Sequence, residues 1–217
     1  MQVNNVETLF KKTLRESDLS AKQQSVLQVS LNLFAEQGFD RTSTSEIAKA
    51  AGVSEGTVFK QFKTKDGILK AILDPIVAHV VPMVATEFLD ELKTNNLVDL
   101  KSFLQYAIQD RMTFAVENRQ QIKVFAQEIL RNPKIITDLS GKVEAVVNGQ
   151  VGEVLQQFKD RGELVDWPNM RIIRYLVGIL GSYVFPQVFL APTADFDADK
   201  ASQEAVEVLM RGLTPVK

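Results

Sequence analysis

The spacing of the apolar residues constrains this chain more than anything else. They recur three and four apart almost throughout, and no strict alternation bounded by turn residues marks a strand. The fold class read from this pattern is all-α. Gly38, Gly52, Asn95-Asn96, Asn132-Pro133, Gly162, Trp167-Pro168 and Pro192 punctuate the periodic stretches. They predict nine helices, over about 21–37, 44–51, 55–61, 65–93, 97–117, 119–131, 135–161, 168–190 and 197–212. Within residues 1–20, Val6, Leu9, Phe10 and Leu14 have the spacing of a further short amphipathic helix. Pro75 and Pro82 fall inside the stretch 65–93 and predict a kink or break there.

Composition removes whole classes of chemistry. Zero cysteines among 217 residues exclude disulfide frameworks, thiol nucleophiles and Cys-based zinc or iron–sulfur sites. The lone histidine, His79, leaves no His-rich metal cluster, so no metal, cofactor or catalytic residue is expected. The start, MQVNNVETLFKK, lacks the apolar core of a secretory signal, which makes the cytoplasm the expected location. Tyr175 to Pro192 is uncharged and long enough to suggest a membrane span. Pro186, Gln187 and Ser182 within it favour a buried helix of an assembly, with no membrane.

The net charge of −2 is that of no obvious nucleic-acid binder, so such a role has to come from a local patch. One exists. Residues 56–70 hold Lys60, Lys63, Lys65 and Lys70 against Asp66, a local charge of +3, whereas residues 76–217 sum to −3. Just before that patch, Ser43 and Glu46 are spaced as a capping box and Ile47, Ala48 and Ala51 form one apolar stripe. Gly52 stands where a left-handed residue ends a helix, and Ser54 can cap the next one. Two short helices joined by such a turn describe a helix-turn-helix. Gly56, Thr57, Lys60 and Gln61 lie on the outer face of its second helix, where hydroxyl, ammonium and amide groups suit phosphates and base edges. Lys63 and Lys65 flank the start of the following helix, whose free N–H groups suit a phosphate.

Residues Val26 through Leu73, VLQVSLNLFAEQGFDRTSTSEIAKAAGVSEGTVFKQFKTKDGILKAIL, resemble without a gap the DNA-binding domain of TetR/AcrR-type transcriptional regulators. The resemblance implies that Thr44 meets a backbone phosphate, that Ser54, Gly56, Thr57, Phe59, Lys60 and Gln61 face DNA, and that Lys65 meets a phosphate. Phe59 departs from the family's common Tyr and lacks its hydroxyl. Gln61 replaces a frequent His or Tyr and could pair with adenine instead. The resemblance also implies a division into an extension (1–20), a helix-turn-helix domain (21–70) and a helical ligand-binding and dimerisation domain (71–217).

The rear carries no motif. His79, Phe103, Tyr106, Phe125, Gln127 and Tyr175 are the candidates for ligand contact, on helices that the family uses to surround its effector. Arg174, Gly178, Gly181, Ser182 and Phe185 on one helix, with Ala205, Val208 and Leu209 on the last, are the candidates for a dimer interface. The expected function is a homodimeric repressor that binds palindromic double-stranded operator DNA and is released by a small apolar or amphipathic effector. The alternatives are a helical enzyme with His79 as base, or a regulator controlled by a protein partner.

Overall fold

The computed structural model describes residues 5–94, 99–131, 133–190 and 195–216. Every regular element among them is helical. In chain order these are α1 (Val6–Arg15), α2 (Ala21–Gln37), α3 (Thr44–Ala51), α4 (Glu55–Phe62), α5 (Lys65–Pro75), a π-helical turn (Ile76–Val80), α6 (Val81–Thr94), α7 (Leu100–Glu117), α8 (Arg119–Arg131), α9 (Pro133–Asn148), α10 (Gln150–Asp160), α11 (Asn169–Phe189) and α12 (Ala198–Leu213). They fall into two compact units, Asn4–Val84 with Gln120–Ile136, and Ala85–Arg119 with Thr137–Lys217.

This division departs from the expected boundary at residue 70. Residues 5–20 are packed into the front unit: Asn5 caps α1 by accepting from the N–H groups of Glu7 and Thr8, and Val6, Leu9, Phe10 and Leu14 are buried. Those side chains pack α1 on α2 and on the π-helical turn, which ties the turn and the whole of α5 to the front unit. The core of that unit contains Phe10, Val26, Leu31, Phe34, Ile47, Val58, Ile68 and Ile72, all at most 1% exposed. Removing so much apolar surface from water is what holds helices this short in place.

At the two prolines, where a kink or break is expected, the α-helix is interrupted by a widened turn. Pro82 has no N–H to give the carbonyl of Ala78, and its ring crowds that carbonyl. The helix accommodates this one turn earlier, where the Val81 N–H donates to the carbonyl of Ile76, five residues back. The single helix expected over 135–161 is also two, divided at Gly149 (φ −92°, ψ −118°). Asn148-Gly149 is a stop signal in the sequence that the surrounding apolar periodicity masks.

The rear unit has its core on α7, α10, α11 and α12, around Leu104, Met112, Leu155, Ile172, Ala205 and Leu209. Phe103 and Phe158 stack with their ring centroids 5.1 Å apart. Two helical stretches, 65–88 and 169–189, are long and apolar enough to cross a membrane by length and composition. The second of them, α11, leaves much of its apolar face uncovered by its own chain, with Tyr175, Val177 and Phe185 about half exposed or more.

The α3 N-terminus, like that of α2, is closed by a complete capping box. Ser43 Oγ accepts from the Glu46 N–H (3.2 Å), and the Ser43 N–H and hydroxyl both donate to Glu46 Oε2 (2.8 and 2.7 Å). The Ser43 hydroxyl, followed by its N–H, holds the Glu46 carboxyl below its ordinary value. A carboxyl whose pKa is lower folded than unfolded stabilises the fold above its unfolded value and loses that effect as pH falls through the folded one. Glu46→Gln should therefore be less stable than wild type above pH 4.5, with the difference shrinking to nothing in more acid solution. Urea unfolding of both proteins across that range checks this, and a gap independent of pH would deny Glu46 the role.

Candidate functional site

The reversal between α3 and α4 begins with a residue that only glycine adopts without strain. Gly52 has φ +68° and ψ 32°, and the N–H groups of Val53 and Gly52 return to the carbonyls of Ala48 (3.0 Å) and Lys49 (3.3 Å). The Ser25 hydroxyl donates to the Ala51 carbonyl at 3.2 Å, which satisfies another terminal group of α3 and ties it to α2. Ser54 then caps α4 by accepting from the Thr57 N–H (3.2 Å). Val58 is buried, and this anchors α4 by its inner face and sets the opposite face outward.

That outer face carries most of the expected DNA-reading residues. Phe59 is 68% exposed, an unusual position for a phenyl ring with nothing to cover it. Gly56 and Lys60 are exposed, and a Cβ added at Gly56 would meet only Ser54 Oγ, at 4.0 Å. The other groups are engaged within the chain. Thr57 shares a hydroxyl–hydroxyl hydrogen bond with Ser54 (2.9 Å), and the Thr44 hydroxyl donates to Glu55 Oε1 (2.7 Å). Gln61 is half-buried, and its Oε1 is buried without accepting a hydrogen bond from the protein. Glu55 was missed by sequence reasoning, because a carboxylate eleven residues beyond Thr44 has no local signature.

Lys63 and Lys65 part company. Lys63 is exposed at the end of α4, with φ +64° and ψ −46°, and the Thr64 N–H reaches back to the Phe62 carbonyl at 2.7 Å. This is a tight γ-turn of the strained hand. Gly67 is required beside it, since a Cβ there would lie 2.1 Å from the Phe62 carbonyl oxygen. Lys65, expected at a phosphate, is instead turned inward, its ammonium taken up by carbonyls of the α2–α3 turn. Those carbonyls lie past the end of α2, where no helical N–H reaches them.

The rear unit contains a cavity of about 180 Å³ between α7, α10 and α11. Phe103, Ala107, Val154, Leu176 and Leu180 line it, and Arg111 is the one charged side chain on its wall. The guanidinium is already compensated. Its Nε donates to Asp110 Oδ2 at 2.7 Å, and its carbon lies 4.3 Å and 5.1 Å from the ring centroids of Phe88 and Phe114. The wall therefore presents apolar surface and little uncompensated charge.

Of the five expected ligand residues whose side chains are described, Phe103 alone lines this cavity. Tyr106 packs against the rear core, and Tyr175 is exposed beside Trp167. Phe125 is buried on α8 and His79 is exposed on the π-helical turn, both in the front unit, because that unit claims α8 and the helix through residue 84. The Gln127 side chain lies outside the described residues. Nothing local in the sequence separates a cavity wall such as Ala107 from ordinary core. Among the described residues, no three His, Cys, Asp or Glu side chains are grouped to hold a metal ion.

The expected dimer residues also divide. Arg174, Gly178, Ser182, Phe185 and Val208 are exposed, and Gly181 is partly so. Added Cβ atoms at Gly178 and Gly181 would meet nothing within 4 Å. Ala205 and Leu209 are corrected: they are 1% and 2% exposed and belong to the rear core, where α12 packs on α7. Val208 is next to Leu209 but about 100° round the helix, so it faces out.

Residues 26–72 match the family model described as bacterial regulatory proteins, tetR family. The transcriptional regulator AcrR of Shigella flexneri is 42% identical over 64 residues, 30% of this chain and 29% of that protein. The match spans about a third of the length of that relative and of the transcriptional regulator YvdT of Bacillus subtilis. Two solved structures match nearly the whole chain in fold. A regulator assigned to the TetR family from Mesorhizobium loti superposes with a TM-score of 0.65 at 18% identity, covering 89% of this chain and 97% of that one. FadR from Bacillus subtilis in complex with stearoyl-CoA gives a TM-score of 0.62 at 19% identity, covering 87% and 97%. Residues 26–72 therefore match the tetR family of bacterial regulatory proteins, and the chain around them shares its all-helical fold with solved structures.

Proposed function

We propose that the chain is a dimeric repressor of transcription that binds operator DNA through α4 and is released when an apolar effector fills the rear cavity. The observation that carries the reading is the outward face of α4, with Gly56, Phe59 and Lys60 exposed and anchored from behind by Val58. Lys60 and Lys63 are the phosphate contacts in this reading. Thr57 and Gln61 read bases, with Ser54 and Phe59 filling the groove beside them. A buried, unpaired carbonyl on Gln61 favours rotation of its amide toward a base that supplies a donor. Thr44 reaches a phosphate once its hydroxyl leaves Glu55.

The second copy covers the outer face of α11 and the exposed edge of α12. Leaving Val177, Phe185 and Val208 each more than half exposed keeps apolar surface in water that a two-fold partner would remove. The two α4 helices then occupy successive major grooves about 34–36 Å apart. Repression in the bacterial cytoplasm by occluding a promoter follows. A compensated Arg111 and apolar walls favour an aliphatic chain over a charged group as the part of the effector that enters the cavity. The effector acts only through its different affinity for the two states of the dimer.

Lys60→Ala and Lys63→Ala should each weaken binding to any duplex and lower the slope of log K against log salt by about 0.9. Thr57→Ala and Gln61→Ala should leave that slope alone and reduce discrimination for a duplex selected from a random pool, by about 1–3 kcal/mol per base pair read. Equal effects of all four on selected and random DNA would remove α4 from the major groove.

Phe185→Asp should convert the dimer to monomer or lower its association at micromolar concentration by sedimentation. A wild-type protein that sediments as a monomer sinks the two-fold model.

Long-chain fatty-acyl coenzyme A thioesters are the first effector probes. They should release the wild-type protein from its selected duplex, and Ala107→Leu, which narrows the cavity, should stay bound. Release of both proteins at the same concentration would locate the effector elsewhere.

A further inference from the structure

The α2–α3 turn runs from Gly38 to Ser43, past the end of one helix and before the first N–H groups of the next, so its carbonyls have few helical donors. Thr42 meets part of the need: its hydroxyl, on a residue 2% exposed, donates to the Gly38 carbonyl at 2.9 Å. The Thr42 N–H returns to the Phe39 carbonyl (3.3 Å), and the Lys65 ammonium adds three further bonds. Its Nζ donates to the carbonyls of Phe39 (2.8 Å), Thr42 (3.0 Å) and Asp40 (3.3 Å). An ammonium has three N–H donors and no more. The same nitrogen lies 4.5 Å from the ring centroid of Phe39, a buried ring that meets Phe34 edge-on at 5.1 Å. Placed at the first residue of α5, a cation faces the unfavourable end of the helix dipole, and the converging carbonyl oxygens offset this.

We propose that Lys65 is a positioning residue for DNA reading, which fixes the α2–α3 turn to the α4–α5 junction and makes no phosphate contact of its own. The Thr42 carbonyl directly precedes Ser43, the cap of α3, and Thr44. Lys65 itself follows the γ-turn that ends α4. One ammonium therefore joins the entry of the first helix of the helix-turn-helix to the exit of the second. Drawing it out to a phosphate would break at least one of these bonds and leave carbonyls of the turn unpaired. The inference rests on the reading of α4 as the DNA-binding element for its consequence, though not for the clip itself.

The test compares Lys65→Met, Lys65→Arg and Lys60→Ala with wild type. Without DNA, amide hydrogen exchange at residues 43–47 should quicken by about tenfold or more in Lys65→Met, well below the unfolding temperature. Lys65→Arg should quicken it too, because a planar guanidinium cannot aim three N–H groups at one converging set of carbonyls. With random-sequence duplex DNA, Lys65→Met should keep the wild-type salt slope, whereas Lys60→Ala loses about 0.9 of it. Lys65→Met should also lose discrimination for a selected duplex, which a general loss of stability would not change at low temperature. Unchanged exchange in both Lys65 variants overturns the clip whether or not any duplex is bound. A salt slope lowered by about 0.9 in Lys65→Met overturns the claim that it meets no phosphate. If the wild-type protein binds no duplex, the exchange data still decide the clip, and the failure belongs to the DNA-binding reading alone.

Discussion

Helices of eight residues do not stand by themselves in water. α3 and α4 are both that short, and each exists because one stripe of it is buried in a core that neither could build. Ile47 and Ala48 from α3 and Val58 from α4 reach this core only if the chain reverses sharply between them. Gly52, with its positive φ, makes the reversal possible. A residue with a Cβ would strain that turn, and the recognition face would lose its orientation with it. The outward aim of Phe59 and Lys60 is thus a consequence of what Val58 buries one residue earlier.

Local chemistry was legible in the sequence and distant chemistry was not. Ser43, Glu46, Gly52 and Ser54 act within three or four residues of their partners, and the capping box, the left-handed turn and the second cap stand as their spacing predicts. The buried stripe of α1 is equally local. Lys65 illustrates the other kind: a surface-type residue in a basic patch, whose ammonium finds carbonyls 23 to 26 residues away. No periodicity reveals which lysine of several will turn inward. Ala205 and Leu209 failed for a related reason, since an apolar stripe on α12 says that something covers it without saying whether that is α7 or a second copy.

The rear unit shows how a charge can sit on a cavity wall without making the cavity polar. Asp110 is 5% exposed, and its carboxylate is on the residue next to Arg111. Burying either alone would be expensive, whereas the pair, flanked by Phe88 and Phe114, removes most of the field from the space beside it. The wall left for a guest is then set by Ala107, Val154 and Leu180. Shape and dispersion decide what enters such a space, and these tolerate homologous chains of neighbouring lengths better than a hydrogen-bonding site does.

The packing of α1 has a consequence for how the protein is made. Phe10 and Leu14 are buried against elements that include the π-helical turn at Ile76–Val80, so α1 waits for a partner made much later in the chain. At about 5–20 residues per second, the nascent chain carries an amphipathic helix with an open apolar face for several seconds before the turn emerges. During that interval the apolar face of α1 is open to whatever else the growing chain meets. The front unit also takes in Gln120–Ile136, so it is complete only after Ala85–Arg119 of the rear unit has been made.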